Sequence, residues 1–244
     1  MNKKTQVYLA GSMFCEADRM YNALLAQKIR ERVGEHIDLY VPQENLSIND
    51  KTKCANSHDI FWGDYNRLQR CDIFIARIDG DIPPSGTSAE VGIMSQRRQY
   101  WEREFNNFQA NYCLEYGRKI SEEEIHTYKK NEGFPPMVLG LCTDSRNPKR
   151  TYLEAKNELM KNEDYESQYC YFNLFTLGCI KVNGKLTTSI DELVDTIEYE
   201  VKERLGVKDV ETSEVLWDAA SHRSFVLNLV TYYDGTTETI KEWL

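Results

Sequence analysis

The feature that most constrains this chain is the segment 71–94, CDIFIARIDGDIPPSGTSAEVGIM. Within it Ile73, Phe74, Ile75, Ala76 and Ile78 form a short apolar run, entered from Asp72 and left through Asp79-Gly80. A buried parallel strand has this composition and opens into a loop at its carboxyl edge. The loop carries two prolines and Ser85-Gly86-Thr87, and a helix is predicted from about Thr87 or Ser88 with Glu90 in its first turn. In an open α/β sheet, ligands lie beyond the carboxyl ends of the strands, beside the helix N-termini. A carboxylate at Glu90 can therefore face a ligand, while Gly86 lets the backbone come close to it. Taken alone, Glu90 reads equally well as an N-terminal helix acid in a capping box with Thr87.

The flanking segments alternate in type. Residues 7–10 predict a strand closed by Gly11-Ser12, and residues 18–33 a helix that stops at Gly34. A second strand over 37–41 is closed by Pro42 and followed by a long polar loop, PQENLSINDKTKCANS, whose length suggests binding or mobility. Ser57 reads as the N-cap of a helix reaching about Arg70. The helix after Thr87 is expected to run to Tyr116 and stop at Gly117. Ser121 and Glu124 form a capping box for a short helix ending before Gly133. Residues 137–142 read as another buried strand, 151–161 as a polar helix and 179–182 as a last short strand. Ser189 and Glu192 open an amphipathic helix that ends at Gly206.

Such alternation implies parallel strands joined by right-handed crossovers. The expected fold is a three-layer α/β domain with about five parallel strands over residues 1–206, with a helical insertion at about 96–136. Residues 207–244 are too apolar for a disordered tail. They are expected to pack on the domain or on a neighbouring subunit.

Composition narrows the functional classes. With 39 acidic against 30 basic side chains, the formal charge is -9, which argues against binding a nucleic acid polymer through a basic surface. No run approaches the roughly 18 apolar residues of a membrane span, and the opening MNKKTQ has no apolar export region. Seven cysteines, an odd number without close pair spacing, read as reduced thiols of a cytoplasmic protein. His36, His58, His126 and His222 show no metal-ligand spacing, so no metal is expected.

Four segments together resemble the nucleoside 2-deoxyribosyltransferase family: YLAGSMF (8–14), YVPQEN (40–45), GDYNRLQRCDIFIARIDG (63–80) with SGTSAEVG (85–92), and FNLFTLG (172–178). LCTDSR (141–146) matches a less specific strand end. The resemblance spans roughly residues 5–95 and 137–205. It implies a flavodoxin-like parallel sheet, no cofactor, and movement of a 2-deoxyribosyl group between nucleobases. It also implies a homo-oligomer in which neighbouring subunits complete each other's sites. Carried over by position, Glu90 matches the family nucleophile and Asp64 an active-site aspartate that helps to hold the substrate. Tyr8 and Gly11 match the first strand end lining the pocket. Gln43 and Asn45 lie where the family holds the nucleobase, and Asn173 matches an asparagine that reaches the sugar in the adjacent subunit. Ser85 and Gly86, at the helix start, complete the binding set. Where many members carry an aspartate before Ser-Gly-Thr, this chain has Pro84; Asp79 or Asp81 on the same loop is the expected substitute.

The chemistry explains the residue types. An N-glycosidic bond breaks through an oxocarbenium-like state, which a carboxylate beneath the anomeric carbon stabilises and can trap as an ester. A second base then attacks from the opposite face, so configuration is retained. A proton donor near the base, here Asp79 or Asp81, commonly contributes about 10²–10⁴ in rate. Two other readings compete. One is hydrolysis of a nucleoside 5′-monophosphate, with Ser85-Gly86-Thr87 and Gly11-Ser12 holding the phosphate. The other is a non-catalytic nucleotide-binding module of the same fold, which the proline at position 84 favours.

Overall fold

The computed structural model describes residues 4–49, 56–79, 84–143, 173–218, 221, 223–233 and 235–243. The chain divides into two compact units, Met1–Phe105 with Pro135–Glu198, and Asn106–Phe134 with Tyr199–Leu244.

The first unit is built on a five-stranded, wholly parallel sheet: β1 (Thr5–Ala10), β2 (Ile37–Tyr40), β3 (Ile73–Arg77), β4 (Met137–Leu141) and β5 (Gly184–Thr187). Their spatial order is β2-β1-β3-β4-β5. The chain moves outward from β1 to β2 and then crosses back to β3, so the connections reverse direction between β1 and β3. Ligands of doubly wound sheets bind at that reversal. Every residue of β3 is buried, as a central strand covered on both faces requires.

Side-chain alternation sorts the strands onto two faces. Tyr8, Ala10, Phe74, Ala76, Ile78 and Val138 share one buried cluster with Leu68 of α3 (Ser57–Leu68), Val91 and Met94 of α4 (Ser85–Tyr116), and Leu177 and Ile180 of α6 (Leu174–Asn183). Val7, Leu9, Ile73 and Ile75 alternate with these and are equally buried. On that second side α1 (Glu16–Val33) is tied to α7 (Ile190–Leu205) by ion pairs from Arg32 to Asp195 and Glu198 and from Lys28 to Asp191. Those pairs are exposed and contribute little. The stabilisation comes from burial, about 1.5–3 kcal/mol for each large apolar side chain.

The helix ends follow local chemistry. Asn56, one residue before the expected Ser57, caps α3 by accepting from the Asp59 amide at 3.0 Å. The helix α4 starts at Ser85, two residues earlier than predicted, because the Pro84 carbonyl accepts from the Ser88 amide at 2.9 Å. It ends at Tyr116, where Gly117 adopts φ 64, as a left-handed stop requires. The short helix α2 (Leu46–Asn49) interrupts the polar loop after β2.

One expected strand is corrected. Residues 179–182 lie in α6, and the fifth strand is Gly184–Thr187. The Asn173 side chain accepts from the amides of Phe175 (2.9 Å) and Thr176 (3.1 Å) and so opens a helix. Leu177 and Ile180, three apart, then turn one apolar face to the sheet. β5 needs glycine at its start: a Cβ on Gly184 would stand 1.9 Å from the Val138 carbonyl oxygen. The expected helix over 151–161 lies outside the described residues.

The second unit pairs the helix α5 (Glu122–Glu132), with its capping box of Ser121 and Glu124, with an antiparallel sheet: β6 (Val207–Thr212), β7 (Leu216–Asp218), β8 (Arg223–Tyr232) and β9 (Thr237–Trp243). The His126 ring stacks on Tyr233 at 4.3 Å, and Arg204 lies over the Phe134 ring at 5.2 Å. Among the described residues, no helix is long and apolar enough to cross a membrane.

Candidate active site

The site begins with a row of aromatic rings across the sheet. Parallel register places Tyr8 of β1 beside Tyr40 of β2 and Phe74 of β3, and the Tyr8 ring centroid lies 5.0 Å from Tyr40 and 5.4 Å from Phe74. Neighbours on one sheet face pack in this way. Two phenolic hydroxyls therefore emerge together, on the face that α3 and α4 cover.

Each hydroxyl meets a carboxylate. The Tyr8 hydroxyl donates to Glu90 Oε1 at 2.6 Å, and the Tyr40 hydroxyl donates to Asp64 Oδ1 at 2.9 Å. Asp64 comes from the third turn of α3, and Glu90 from the second turn of α4. Arg97 of α4 fixes the two helices to each other. Its Nη1 donates to the carbonyls of Leu68 and, at 2.8 Å, Cys71, at the end of α3 and just beyond it.

Burial sets the electrostatics. Tyr8 is fully buried, whereas Glu90 and Asp64 are half-buried. Loss of water pushes the Glu90 pKa up to about 7; the Tyr8 hydroxyl pulls it down and the nearby Asp64 charge raises it again. Asp64 is also raised by burial, against the pull of the Tyr40 and Tyr8 hydroxyls. Burial, followed by the charges of Glu90 and Asp64, drives the Tyr8 phenol far above its ordinary value. Tyr8 is thus a permanent donor, and Glu90 is a carboxyl poised near neutrality beside a second acid.

A second network closes the loop after β1. Arg77, at the carboxyl end of β3, donates through Nη2 to the Ser12 carbonyl (2.8 Å) and Asp18 Oδ1 (2.6 Å), while Ser12 Oγ donates to Asp18 Oδ2 at 2.7 Å. The Ser12 hydroxyl and then Arg77 hold the Asp18 carboxyl well below the usual range. Gly11 leaves the space this needs, since a Cβ there would stand 3.0 Å from Arg77 Nε. Asn22 Nδ2 donates to the Ser12 carbonyl at 2.9 Å and to Gln43 Oε1 at 3.0 Å.

Among the residues expected at the site, Tyr8, Asp64, Glu90 and Asn45 are linked, the last through its Nδ2, which donates to the Tyr40 hydroxyl at 3.0 Å. Gln43 belongs to the neighbouring network, where its Nε2 donates to the Arg19 carbonyl at 3.1 Å. Ser85 and Gly86 are exposed at the start of α4. Asp79 accepts from the Thr143 amide and hydroxyl, bridging the ends of β3 and β4. Asn173 caps α6, and Asp81 lies outside the described residues. Asp72, read as a strand-entry residue, accepts from the Gln6 amide at 2.8 Å and ties β1 to β3.

Tyr40, Asp18, Asn22 and Arg77 were not singled out from the sequence. Two signals could have found them: a tyrosine at matching positions of adjacent strands, and an arginine inside an apolar run. Among the described residues, no group of acids, histidines and cysteines could hold a metal.

Residues 7–119 match the family model described as nucleoside 2-deoxyribosyltransferase. The chain is similar to a conserved protein from Enterococcus faecalis V583, at 31% identity over 83% of this chain and 99% of that one, with a TM-score of 0.53. A 2-desoxiribosyltransferase from Leishmania mexicana is 16% identical over 81% of this chain and 98% of that one, with a TM-score of 0.42. No curated protein matches the chain.

Proposed function

The chain belongs to the nucleoside 2-deoxyribosyltransferase family, and on that premise we propose that it moves a 2-deoxyribosyl group from a deoxynucleoside to a free nucleobase by double displacement at Glu90. The observation that carries this reading is the 2.6 Å bond from Tyr8 to Glu90 Oε1 beside Asp64, at the reversal point of the sheet.

With Oε1 held, Oε2 is the atom assigned to attack C1′. The C1′–N bond breaks and its electron pair leaves with the base, which takes up a proton; the C1′–O bond forms, giving a glycosyl ester on Glu90. A ring nitrogen of the second base then attacks C1′ from the vacated face. The C1′–O pair returns to the carboxylate, and the incoming base loses its proton. The buried Tyr8 hydroxyl aims the carboxylate and remains protonated throughout. Asp64 accepts from the sugar hydroxyls, which orients C1′ over Glu90. Asp79 or Asp81 remains the acid assigned to the departing base, and the assembly a homo-oligomer. Transfer further requires that water be kept from the ester.

The monophosphate reading is disfavoured by charge. Asp18 stands 2.7 Å from the Ser12 hydroxyl, and its partner Arg77 is already engaged, so this loop repels a phosphate. Incubation with a deoxynucleoside and a second free base is the test. The exchanged nucleoside is expected; release of base from a 5′-monophosphate without exchange would overturn the proposal.

A further inference from the structure

We propose that Tyr40 is a positioning residue for this reaction, the centre of a relay Ser47–Asn45–Tyr40–Asp64 that holds Asp64 as an oriented, ionised acceptor. The inference rests on the deoxyribosyl-transfer reading above. It assigns to Asn45 a task other than meeting the nucleobase.

The direction of each proton follows from the contacts. Asn45 Oδ1 accepts from the Ser47 hydroxyl at 2.6 Å and from the Ser47 amide at 3.2 Å. This fixes which end of the Asn45 amide is oxygen, and its Nδ2 then faces Tyr40 at 3.0 Å. An amide nitrogen can only donate, so the Tyr40 oxygen is an acceptor there. Its single proton goes to Asp64 Oδ1 at 2.9 Å. That oxygen must accept, which favours the carboxylate over the acid.

The phenol ring is held as firmly as its hydroxyl. Strand pairing sets it against Tyr8, with centroids 5.0 Å apart, and the Arg67 guanidinium covers it at 5.0 Å. Tyr40 has no bond to Glu90; it acts through Asp64. The titratable and charged groups around Asp64 are Tyr8 from β1, Tyr40 from β2 and Glu90 from α4, with Arg67 of α3 behind the Tyr40 ring. Burial opposes ionisation of Asp64, and the Tyr40 donor is the larger of the two hydroxyl contacts that restore it.

Tyr40→Phe removes the donor and keeps the ring. Carbon-detected NMR titration of Asp64, assigned with Asp64→Asn, is expected to show its midpoint moving upward in Tyr40→Phe. An unchanged or lowered midpoint overturns the relay, whether or not the protein catalyses transfer. In the exchange assay kcat/KM of Tyr40→Phe is expected to fall roughly tenfold to a hundredfold at pH 6, the span of a lost hydrogen bond to a charged group. The deficit should shrink as pH rises and Asp64 ionises unaided. Asn45→Ala should shift the same profile in the same direction, but less. A deficit equal at every pH marks a packing defect and overturns the proposal. If the unaltered protein exchanges no base, the functional reading fails, and the titration still decides the relay.

Discussion

Tyr8 and Glu90 lie 82 residues apart in sequence and 2.6 Å apart in space, the hydroxyl of a buried strand tyrosine donating to a helix carboxylate. The bond ties α4 to β1, and in the proposed reaction it leaves Oε2 as the Glu90 oxygen assigned to attack. Its removal by Tyr8→Phe should lower kcat roughly tenfold to a hundredfold at neutral pH, about 1.5–3 kcal/mol for a hydrogen bond to a charged group. The pH dependence should move upward as well, because the hydroxyl pulls the Glu90 pKa down. Steady-state exchange kinetics from pH 5 to 9 measure both effects.

The pH profile of the unaltered protein follows from the same group. A nucleophilic carboxylate must be ionised, and burial holds Glu90 to about 7. The exchange rate should rise with pH up to that value and level off above it. A rate already flat at pH 5 would place the nucleophile elsewhere.

Glu90 should also be a stability liability. Its pKa is raised from 4.5 to about 7 by folding, so the folded state favours the protonated form. Below about pH 4.5 both states are protonated and there is no cost. Stability falls as pH rises through this window, and the full cost, about 3 kcal/mol at most, persists above about pH 7. Glu90→Gln should therefore raise Tm at pH 8 and match the parent at pH 4, as read by thermal melts at the two pH values.

Arg77 and Asp18 form the least exposed ion pair described, at 9% and 23% side-chain exposure. Removing one partner of such a pair typically costs about 3–5 kcal/mol. Arg77→Met should lower stability by less than that range, because Asp18 keeps residual exposure. A double-mutant cycle with Asp18→Asn should recover part of the loss. Urea unfolding of the four proteins measures this coupling.

Glycine is essential where β5 begins. A Cβ on Gly184 would meet the carbonyl oxygen, carbonyl carbon and amide nitrogen of Val138 at 1.9, 2.8 and 3.0 Å. Backbone cannot yield as a side-chain tip can, so Gly184→Ala should cost roughly 4 kcal/mol or more. Gly140→Ala meets only the tips of Leu186 and Ile180 and should be milder. Expression and melting of the two variants compare them.

Much of the architecture was legible because it rests on local signals. The run around Ile75, the capping box of Ser121 and Glu124 and the stop at Gly117 each encode their element within a few residues. The strand expected at 179–182 was misread because Cys179, Ile180 and Val182 carry strand-forming side chains. What decides their state is the Asn173 cap and the close approach of Gly184 to β4, and the latter depends on tertiary structure. In the same way, Glu90, Asp64 and Tyr8 were expected from the family resemblance and lie together in the structure, whereas Tyr40 and Arg77 were not singled out. Their roles arise from register across β1, β2 and β3, which no single segment contains.

The central claim is a covalent bond between Glu90 and the sugar, and trapping that bond tests it most directly. The protein is mixed with a 2-deoxynucleoside without acceptor base, quenched in acid, digested and examined by mass spectrometry. A 2-deoxyribosyl adduct on the peptide containing Glu90, absent from Glu90→Gln, is the result expected. Base exchange by Glu90→Gln at the parent rate, or an adduct on another residue, would contradict it.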